Sequence, residues 1–392
     1  SQGDAMRKPI YLHFTLEEYL QRLDALRSRM EHKAVDAMLV TTPENLYYLT
    51  GQQTPGYYWF QTLIVPMDRE PVFITRRIED DAVQQMSWVE DNRPYEDFTD
   101  WIAQTRDVLV SLGLDGKRIG LENDSWFLTS RDYIRLTAMM TEVRFEDCSG
   151  LVEQGRMIKS PQEIEYIRQA AKAAEAGMKA GIEAAVVGAT ENEVAAEVHH
   201  AQILAGSEYT GLPIFVASGP RSEITHATWY RRRLEDNESM LFEIPACINR
   251  YHAAMFRPVY LGDPPAALVR GVETVIDILQ DAKSHIKAGV RARDVYELVD
   301  KRVDEGDLGY TLDRRVGYSI GIAFPPDWGE GEIISMWKGE DRPLQAGMTF
   351  HLLAGATKVP GVGMFICTDT ILVTEEGCET LTDGVERKLY VK

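Results

Sequence analysis

The sequence predicts an α/β (α+β) protein of two domains that meet near residue 155. The chain has 392 residues, which is more than one ordinary hydrophobic core accommodates. Strand-like runs alternate with helical patterns over roughly the first 150 residues, as they do in α/β units. A strongly capped helix then begins near residue 160, and a hairpin, two helices and a β-rich tail follow it. We therefore predict an N-terminal α/β domain over 1–155 and a C-terminal domain over 156–392.

The elements of the N-terminal domain follow from their periodicity. Residues 16–33 form a predicted helix, because apolar side chains recur at helical spacing along one stripe (Leu20, Leu23, Leu26, Met30). The segment NLYYLTG ends at Gly51, a residue that commonly terminates an element. Apolar runs of strand length are AVDAMLV, TLIVP, PVFIT and RIGLE.

The helix that opens the C-terminal domain is predicted from its first residues. Ser160 can cap it, Pro161 suits its first position, and Glu163 completes a capping box. A second helix begins in the same way at Thr190. The elements expected after it are a strand at LPIFVAS, a hairpin at 240–262, helices at 267–288 and 293–305, and a β-rich tail from Gly317 to Val391.

The charge of the chain argues against nucleic acid as a partner. The 61 acidic residues outnumber the 42 Lys and Arg, so the net charge is −19 and the surface repels phosphate backbones. The basic cluster 231–233 is better explained as a solvated turn.

The composition also predicts a cytoplasmic protein that does not enter a membrane. No run approaches the roughly 18 apolar residues of a membrane helix, and there is no signal-peptide pattern. The residues SQGDA before Met6 have the character of a leftover tag. The four cysteines lack CxxC spacing, which favours reduced thiols over disulfides or a zinc site.

A single carboxylate stands out in the predicted hairpin, MLFEIPACINRYHAAMFRPVYLG (240–262). Glu243 lies within the first apolar run, and a buried charge is costly unless it is paired. One explanation is a salt bridge across the hairpin to Arg257. The other is a functional role, because buried carboxylates in clefts often have pKa values adjusted for catalysis.

Six motifs then occur in a familiar order, namely PENLYYLTG (43–51), RMIKSPQEIEYIRQAA (156–171), the hairpin, GYSIGIAFPPDWGE (317–330), GMTFH (347–351) and TDTILVTEEG (368–377). Together they resemble the creatinase/aminopeptidase P family along essentially the whole chain. The resemblance implies a creatinase-like N-terminal domain, a C-terminal catalytic domain with the pita-bread fold, and a homodimer.

The metal ligands of that family are not reproduced here. Its metal-dependent peptidases bind two metal ions through two Asp, one His and two Glu. The matching positions of this chain hold Glu243, Ala254, Tyr318, Leu353 and Thr368. One carboxylate cannot satisfy two divalent ions, which need several oxygen or imidazole ligands. We therefore predict no metal and no other cofactor.

The hairpin core FEIxxCxNRYH, the Gly-Tyr-x-Ile-Gly motif and the Pro-Pro-Asp-Trp-Gly-Glu motif resemble a metal-free branch of the family, the ectoine hydrolases. Those enzymes open a cyclic amidine. By this resemblance Glu243 is the nucleophile, and His226 transfers a proton to the departing nitrogen. A buried structural histidine is the alternative for His226. Departures in PGYYWF (55–60) and at Ile366 leave the exact substrate open.

Further substrate contacts are implied by the same resemblance. His252 matches a substrate-contacting position in creatinase, although capping of the hairpin turn is an equal alternative. Tyr318 occupies the position of the lost metal-binding His, where its hydroxyl either binds substrate or fills the space.

The turn PPDWGE, which could contain a cis proline, offers three more candidate contacts. Trp328 can stack on a delocalised cation, while Asp327 and Glu330 can bind its N–H groups. The alternative is a tight loop with Trp328 as its hydrophobic plug. We expect His351 to point away from the site.

An aromatic cluster in the N-terminal domain, residues 57–60, completes the prediction. Such clusters are more often core or dimer interface. In creatinase-like dimers the region reaches over the partner's active site, so Tyr58 and Trp59 are candidate substrate contacts there.

The predicted function is metal-independent hydrolysis of a C–N bond in a small zwitterionic cyclic amidine, with ectoine, which gives N-acetyl-diaminobutyrate, as the favoured substrate. The alternatives are a creatinase-like hydrolase of another guanidino or ureido compound, or a catalytically inactive binding protein.

Overall fold

The computed structural model describes residues 9–392, so the SQGDA segment lies outside the described residues. The chain divides after Arg156, and the C-terminal unit is Met157–Lys392. Both units mix helices with sheet, which confirms the predicted mixed α/β class. No helix in the described range 9–392 has the length and apolar character needed to cross a membrane.

The described part of the N-terminal unit contains these elements: α1 (Leu16–His32), β1 (Ala37–Val40), α2 (Pro43–Thr50), β2 (Thr62–Pro66), β3 (Val72–Ile74), a 3-10 turn (Arg77–Glu79), α3 (Asp80–Met86), α4 (Trp101–Ser111), β4 (Arg118–Leu121), α5 (Ser130–Met139), β5 (Arg144–Asp147) and α6 (Glu153–Arg156). Each predicted apolar run of this unit contains a strand. Helix α2 ends at Gly51, whose φ of 88° is readily adopted only by glycine.

The strands of this unit form one sheet in the order β3-β2-β1-β4-β5. Strands β1, β4 and β5 run parallel, whereas β2 and β3 extend the sheet in antiparallel fashion. Helices α4 and α5 contribute Ile102, Leu109 and Leu136 to the core that covers one face.

The C-terminal unit contains these elements: α7 (Pro161–Ala184), α8 (Glu191–Leu204), β6 (Phe215–Ser218), a 3-10 turn (Gly219–Glu223), β7 (Glu238–Ile248), β8 (Tyr251–Phe256), β9 (Val259–Leu261), α9 (Ala266–His285), α10 (Ala292–Gly306), β10 (Gly317–Ser319), β11 (Ser335–Met336), β12 (Thr349–Val359), β13 (Gly363–Val373), β14 (Cys378–Thr380) and β15 (Tyr390–Val391). The capping boxes at Ser160 and Thr190 are both formed, as predicted.

A single sheet runs through this unit in the order β11-β10-β12-β13-β8-β7-β9-β15, with β6 paired to β7 and β14 to β13. Helices α7 and α8 pack on β7 through Phe242 and Ile244. Helices α9 and α10 pack on β12 through Leu352 and Ala354.

Side chains alternate between the two faces of a strand, so the residues between those core positions lie on the face away from the helices. That face, which we call the inner face, carries a separate apolar cluster that includes Leu241 of β7, Ala254 and Phe256 of β8, and Leu353 of β12. It is the face that positions the candidate site.

Candidate active site

Glu243 lies on the inner face in the middle of β7. Its backbone pairs with Phe215 on β6 and with Phe256 on β8, so an aromatic residue flanks it on each neighbouring strand. The side chain is only partly exposed. Across residues 9–392, no hydrogen bond or ion pair is formed by its carboxylate.

Burial in these apolar surroundings raises the pKa of Glu243 to about 7, and the positive charge of Arg314 opposes the rise. Desolvation disfavours the carboxylate anion, because no donor replaces the water it has lost. Near neutral pH the group is therefore poised between its acid and anionic forms, as a catalytic carboxyl should be.

The salt bridge to Arg257 considered above is not formed. The guanidinium of Arg257 is fully buried, and its Nη2 lies 2.8 Å from Oδ1 of Asp369. Lys283 binds the other oxygen of Asp369 at 2.6 Å. Arg257 is thus held by Asp369 and by backbone carbonyls such as those of Thr368 and Val385, and Glu243 is not part of a structural ion pair with it.

A hydrogen-bonded chain of four side chains crosses the inner face beside Glu243. The Nε1–H of Trp328 donates to the hydroxyl of Tyr318 at 2.5 Å. The Tyr318 hydroxyl is 2.7 Å from Nδ1 of His351, and Nε2 of His351 is 2.6 Å from Oγ1 of Thr368.

The direction of the chain follows from its first member. An indole N–H can only donate, so the Tyr318 hydroxyl accepts from Trp328 and gives its own proton to Nδ1 of His351. Burial lowers the pKa of His351 to about 3, so its ring is neutral and Nε2–H donates to Thr368. Burial also raises the pKa of Tyr318 well above its ordinary value, with the charge of Glu243 adding to the effect.

The chain bears on the two roles considered for Tyr318. Its hydroxyl already accepts one hydrogen bond and donates another within the chain, which favours the space-filling role over substrate binding. Trp328 has only 3% of its surface exposed and packs against Phe215, with ring centroids 5.2 Å apart. It therefore lies near Glu243 on the inner face, and we call the part of that face around Glu243, Phe215 and Trp328 the recess.

His226 lies close to Glu243 through a shared neighbour. Its ring stacks on Phe215, with centroids 4.9 Å apart and planes inclined by 17°. The residue is exposed and lies in a turn with a positive φ of 68°, so it is not the buried core histidine of the alternative explanation. An exposed imidazole at the edge of the recess can reach a bound molecule.

His252 is fully buried and bonded to backbone on both sides of its ring. Nε2 accepts the N–H of Gly211 at 2.9 Å, and Nδ1 donates to the carbonyl of Arg250 at 3.1 Å. Burial lowers its pKa to about 3, so it is neutral. This geometry corrects the predicted substrate contact, because neither nitrogen is left to bind a ligand; His252 fixes the hairpin turn and the loop at Gly211.

The predicted role of Glu330 is also corrected. Its side chain is 1% exposed and forms an ion pair with Lys159, while the hydroxyl of Ser319 donates to the same oxygen at 3.0 Å. It stabilises the interior and cannot hold the N–H groups of a substrate. Asp327 is partly exposed; one oxygen accepts the N–H of Gly329 at 3.1 Å and closes the turn. The Pro325–Pro326 peptide is cis, as the sequence suggested.

Tyr58 and Trp59 lie in the N-terminal unit, on a cavity of about 770 Å³ lined largely by aromatic rings. Tyr58 is 73% exposed. Trp59 packs near Trp101, with centroids 6.0 Å apart, and the guanidinium of Arg76 lies 4.1 Å from its ring centre. In this cluster Tyr58 is therefore exposed, whereas Trp59 packs against neighbouring side chains. The predicted contact of both residues with a substrate in the partner subunit stays a prediction.

Comparison with known proteins places this arrangement in a family. A sequence model of the metallopeptidase family M24 matches residues 165–375, and one of the creatinase/prolidase N-terminal domain matches residues 22–158. The chain belongs to family M24.

Two relatives match along nearly the full length. The ectoine hydrolase of Halomonas elongata is 33% identical and covers 98% of this chain and 99% of its own. An uncharacterized hydrolase/peptidase of Sinorhizobium fredii is also 33% identical, over 97% of this chain and 99% of its own.

The solved structures support the fold. The X-Pro aminopeptidase of Thermotoga maritima superimposes with a TM-score of 0.82 at 22% identity, covering 94% of this chain and 99% of its own. A Thermococcus sibiricus prolidase gives 0.84 at 19%, with 95% and 99% covered. The creatinase-like N-terminal domain and the pita-bread C-terminal domain are therefore confirmed.

The family name implies metal ions, but the residues at this site do not suit them. Ala254 and Leu353 offer no ligand atom and belong to or pack against the inner-face apolar cluster. The hydroxyls of Tyr318 and Thr368 are bonded to His351. Within the part of the chain that the structure describes, no three His, Cys, Asp or Glu residues are grouped so that they could hold a metal ion.

Two functional candidates were missed from sequence. His351, which we expected to point away, is fully buried at the centre of the chain of hydrogen bonds. Its position two residues from Leu353 on the same strand was the available signal, because residues i and i+2 share a face. The influence of Arg314 on Glu243 had no local signal, since the two are 71 positions apart in sequence.

Proposed function

We propose that this M24 protein is a metal-independent hydrolase that opens a C–N bond in a small cyclic amidine, and that ectoine is its substrate. The observation that carries the proposal is the Glu243 carboxyl, which lies without a partner in an apolar recess where a metal centre would otherwise be. The full-length likeness to an ectoine hydrolase supports the choice of substrate.

The chemistry of a cyclic amidinium suits this recess. The ring is flat and its positive charge is delocalised over an N–C–N unit, so a carboxylate flanked by Phe215 and Phe256 can attract it and contact its central carbon. A bound cation also favours the anionic form of Glu243, because an opposite charge nearby lowers a carboxyl pKa. Binding therefore prepares the nucleophile.

The ring can open by either of two routes. Glu243 takes a proton from a water molecule that adds to the amidinium carbon, or it adds to that carbon itself, and in both cases the tetrahedral intermediate expels one ring nitrogen. In the second case water then cleaves the bond between Glu243 and the former ring carbon, which restores the carboxylate. His226, at the rim of the recess, gives the departing nitrogen its proton. Addition of water across the C–N bond of ectoine yields an acetylated diamino acid. Trp328 and Asp327 contact the bound substrate ring, while the hydrogen-bonded chain through Tyr318 and His351 fixes the position of Trp328.

The test is incubation of the purified protein with ectoine, followed by mass spectrometry of the small molecules and of the protein. We expect a product heavier than ectoine by one water, formed in the presence of chelator. Creatine and an Xaa-Pro dipeptide serve as competing substrates. Turnover of the dipeptide alone, or of creatine in preference to ectoine, would overturn the proposal. Binding of ectoine without turnover would instead indicate an inactive binding protein.

A further inference from the structure

A second cavity, of about 320 Å³, opens between the segment 310–314 and residues 355–357 of β12. Its strand wall continues the inner face, because Gly355 lies two residues beyond Leu353 and shares its side of the strand. Gly355 pairs with Ile366 on β13, and Ile366 packs against the apolar cluster of the inner face. The cavity therefore adjoins the face that carries Glu243.

Gly355 leaves space in the strand wall of the cavity because it has no side chain. Its φ is 113°, and a Cβ there would come within 2.0 Å of the carbonyl oxygen of Phe365. No other residue fits this backbone, so the strand has no side chain at the point where the cavity meets it.

Arg314 gives the cavity its charge. The residue is exposed, and within residues 9–392 its guanidinium takes part in no hydrogen bond or ion pair. Arg302 of the same unit, by contrast, binds Asp277 and Asp281. The positive charge of Arg314 is also the one that acts on the Glu243 carboxyl.

One acid lines the same cavity, Asp313. It precedes Arg314 in an irregular segment, and its charge acts on Tyr296 of α10, whereas that of Arg314 acts on Tyr310 and Glu243. Arg315 lies over the Tyr318 ring, 4.4 Å from its centre, and its charge acts on Tyr318 and His351. Arg314 is therefore the cation of this segment that lines the cavity and acts on the Glu243 carboxyl.

We propose that this cavity is the subsite for the carboxylate of the substrate, with Arg314 as its counter-ion. The proposal rests on the proposed function and adds to it the cavity and the residue that bind the carboxylate of the cyclic amidinium. The cationic end of such a zwitterion meets Glu243, and its anionic end meets a guanidinium, which binds carboxylates through paired N–H groups. The two protein charges then fix the orientation of the ring.

Two probes separate this subsite from the amidine site: ectoine, and the same methylated tetrahydropyrimidine ring without its carboxylate. Dissociation constants are measured by calorimetry and turnover is measured separately. We expect the wild type to bind ectoine more tightly than the bare ring, and Arg314→Met to lower that preference on the order of tenfold, because an effect of the lost charge on Glu243 acts on both probes. Arg314→Lys should retain part of the preference.

The matched control is Arg270→Met. Arg270 is exposed on α9, which packs on the opposite face of β12, and the variant makes the same change in net charge. It should leave both probes unaffected. Equal affinity of the two probes for the wild type, or equal weakening of both in Arg314→Met, would overturn the subsite. If the subsite is overturned but the wild type still hydrolyses either probe, the proposed function stands. If the wild type hydrolyses neither probe, the proposed function is rejected, whatever the measured affinities are.

Discussion

Replacing Glu243 by Gln should inactivate the protein and should remove the loss of stability that the wild type shows as the pH rises from 5 to 8. The substitution keeps the size of the side chain and one carbonyl oxygen, but it removes the anion. If the carboxylate attacks the substrate or directs the attacking water, turnover should fall by at least ~10³, about 4 kcal/mol in the barrier. Glu243→Asp should fail almost as badly, because the shorter side chain withdraws the oxygen from the reacting carbon.

The stability change follows from the shifted pKa. The ordinary value is 4.5 and the folded value is about 7, so between these pH values the unfolded chain has released a proton that the folded protein still holds. Stability therefore falls as pH rises from 4.5 to 7, and the cost levels off above that at about 3 kcal/mol. Glutamine does not ionise, but its buried amide lacks a partner, which costs about 1–3 kcal/mol at every pH. The stability of the Gln variant relative to the wild type should thus rise by about 2–3 kcal/mol between pH 5 and pH 8.

Urea denaturation of both proteins at pH 5 and pH 8 measures this difference. Glu183→Gln, at an exposed position of α7, is the control and should show no comparable change between the two pH values. In parallel, kcat/KM of the wild type should rise with pH up to about 7 and then level off. A Gln variant with near-wild-type turnover, or one whose stability tracks the wild type at both pH values, would refute the assigned ionisation and role.

Three further outcomes are expected. Chelator should leave activity unchanged and elemental analysis should find no stoichiometric metal; one tightly bound Mn, Co or Zn per chain would contradict this. Tyr318→Phe should lower the free energy of unfolding by about 2–4 kcal/mol, because the N–H of Trp328 and Nδ1 of His351 both lose their hydrogen-bond partner. An unchanged denaturation midpoint would argue against the hydrogen-bonded chain. Trp59→Ala should raise KM with a stability loss well below the roughly 3–5 kcal/mol of a core tryptophan, if a homodimer brings Trp59 to the partner's substrate; unchanged kinetics with a lower melting temperature would exclude that contact.

Local sequence was sufficient for features that depend on near neighbours. The capping boxes at Ser160 and Thr190 require only residues three positions apart, and both are formed. Glu243 could be singled out because an acid inside an apolar strand conflicts with its own surroundings. The metal positions could be compared because the motifs preserve their order along the chain.

The errors concern partners that are distant in sequence. Glu330 looked available because the turn PPDWGE contains no cation, but its partner Lys159 is 171 residues away. His252 looked like a ligand contact because nothing in the hairpin shows that Gly211 donates to its ring. Whether a polar side chain faces a ligand or the interior depends on which groups the fold brings to it, and no periodicity encodes that.

The hydrogen bonds through Tyr318, His351 and Thr368 join uncharged side chains, and this also affects which compounds can bind at the inner face. Two divalent cations act as electrophiles that attract carboxylates and polarise carbonyls, while their own Asp and Glu ligands balance their charge. With uncharged dipoles in their place that electrophile is gone, and the ionised form of Glu243 is left to attract a cation. Amidinium and guanidinium compounds then accumulate at the strand, and a neutral peptide carbonyl finds no electrophile to polarise it. Exchange of a few ligand side chains would in this way change both the reaction and the molecules that reach it.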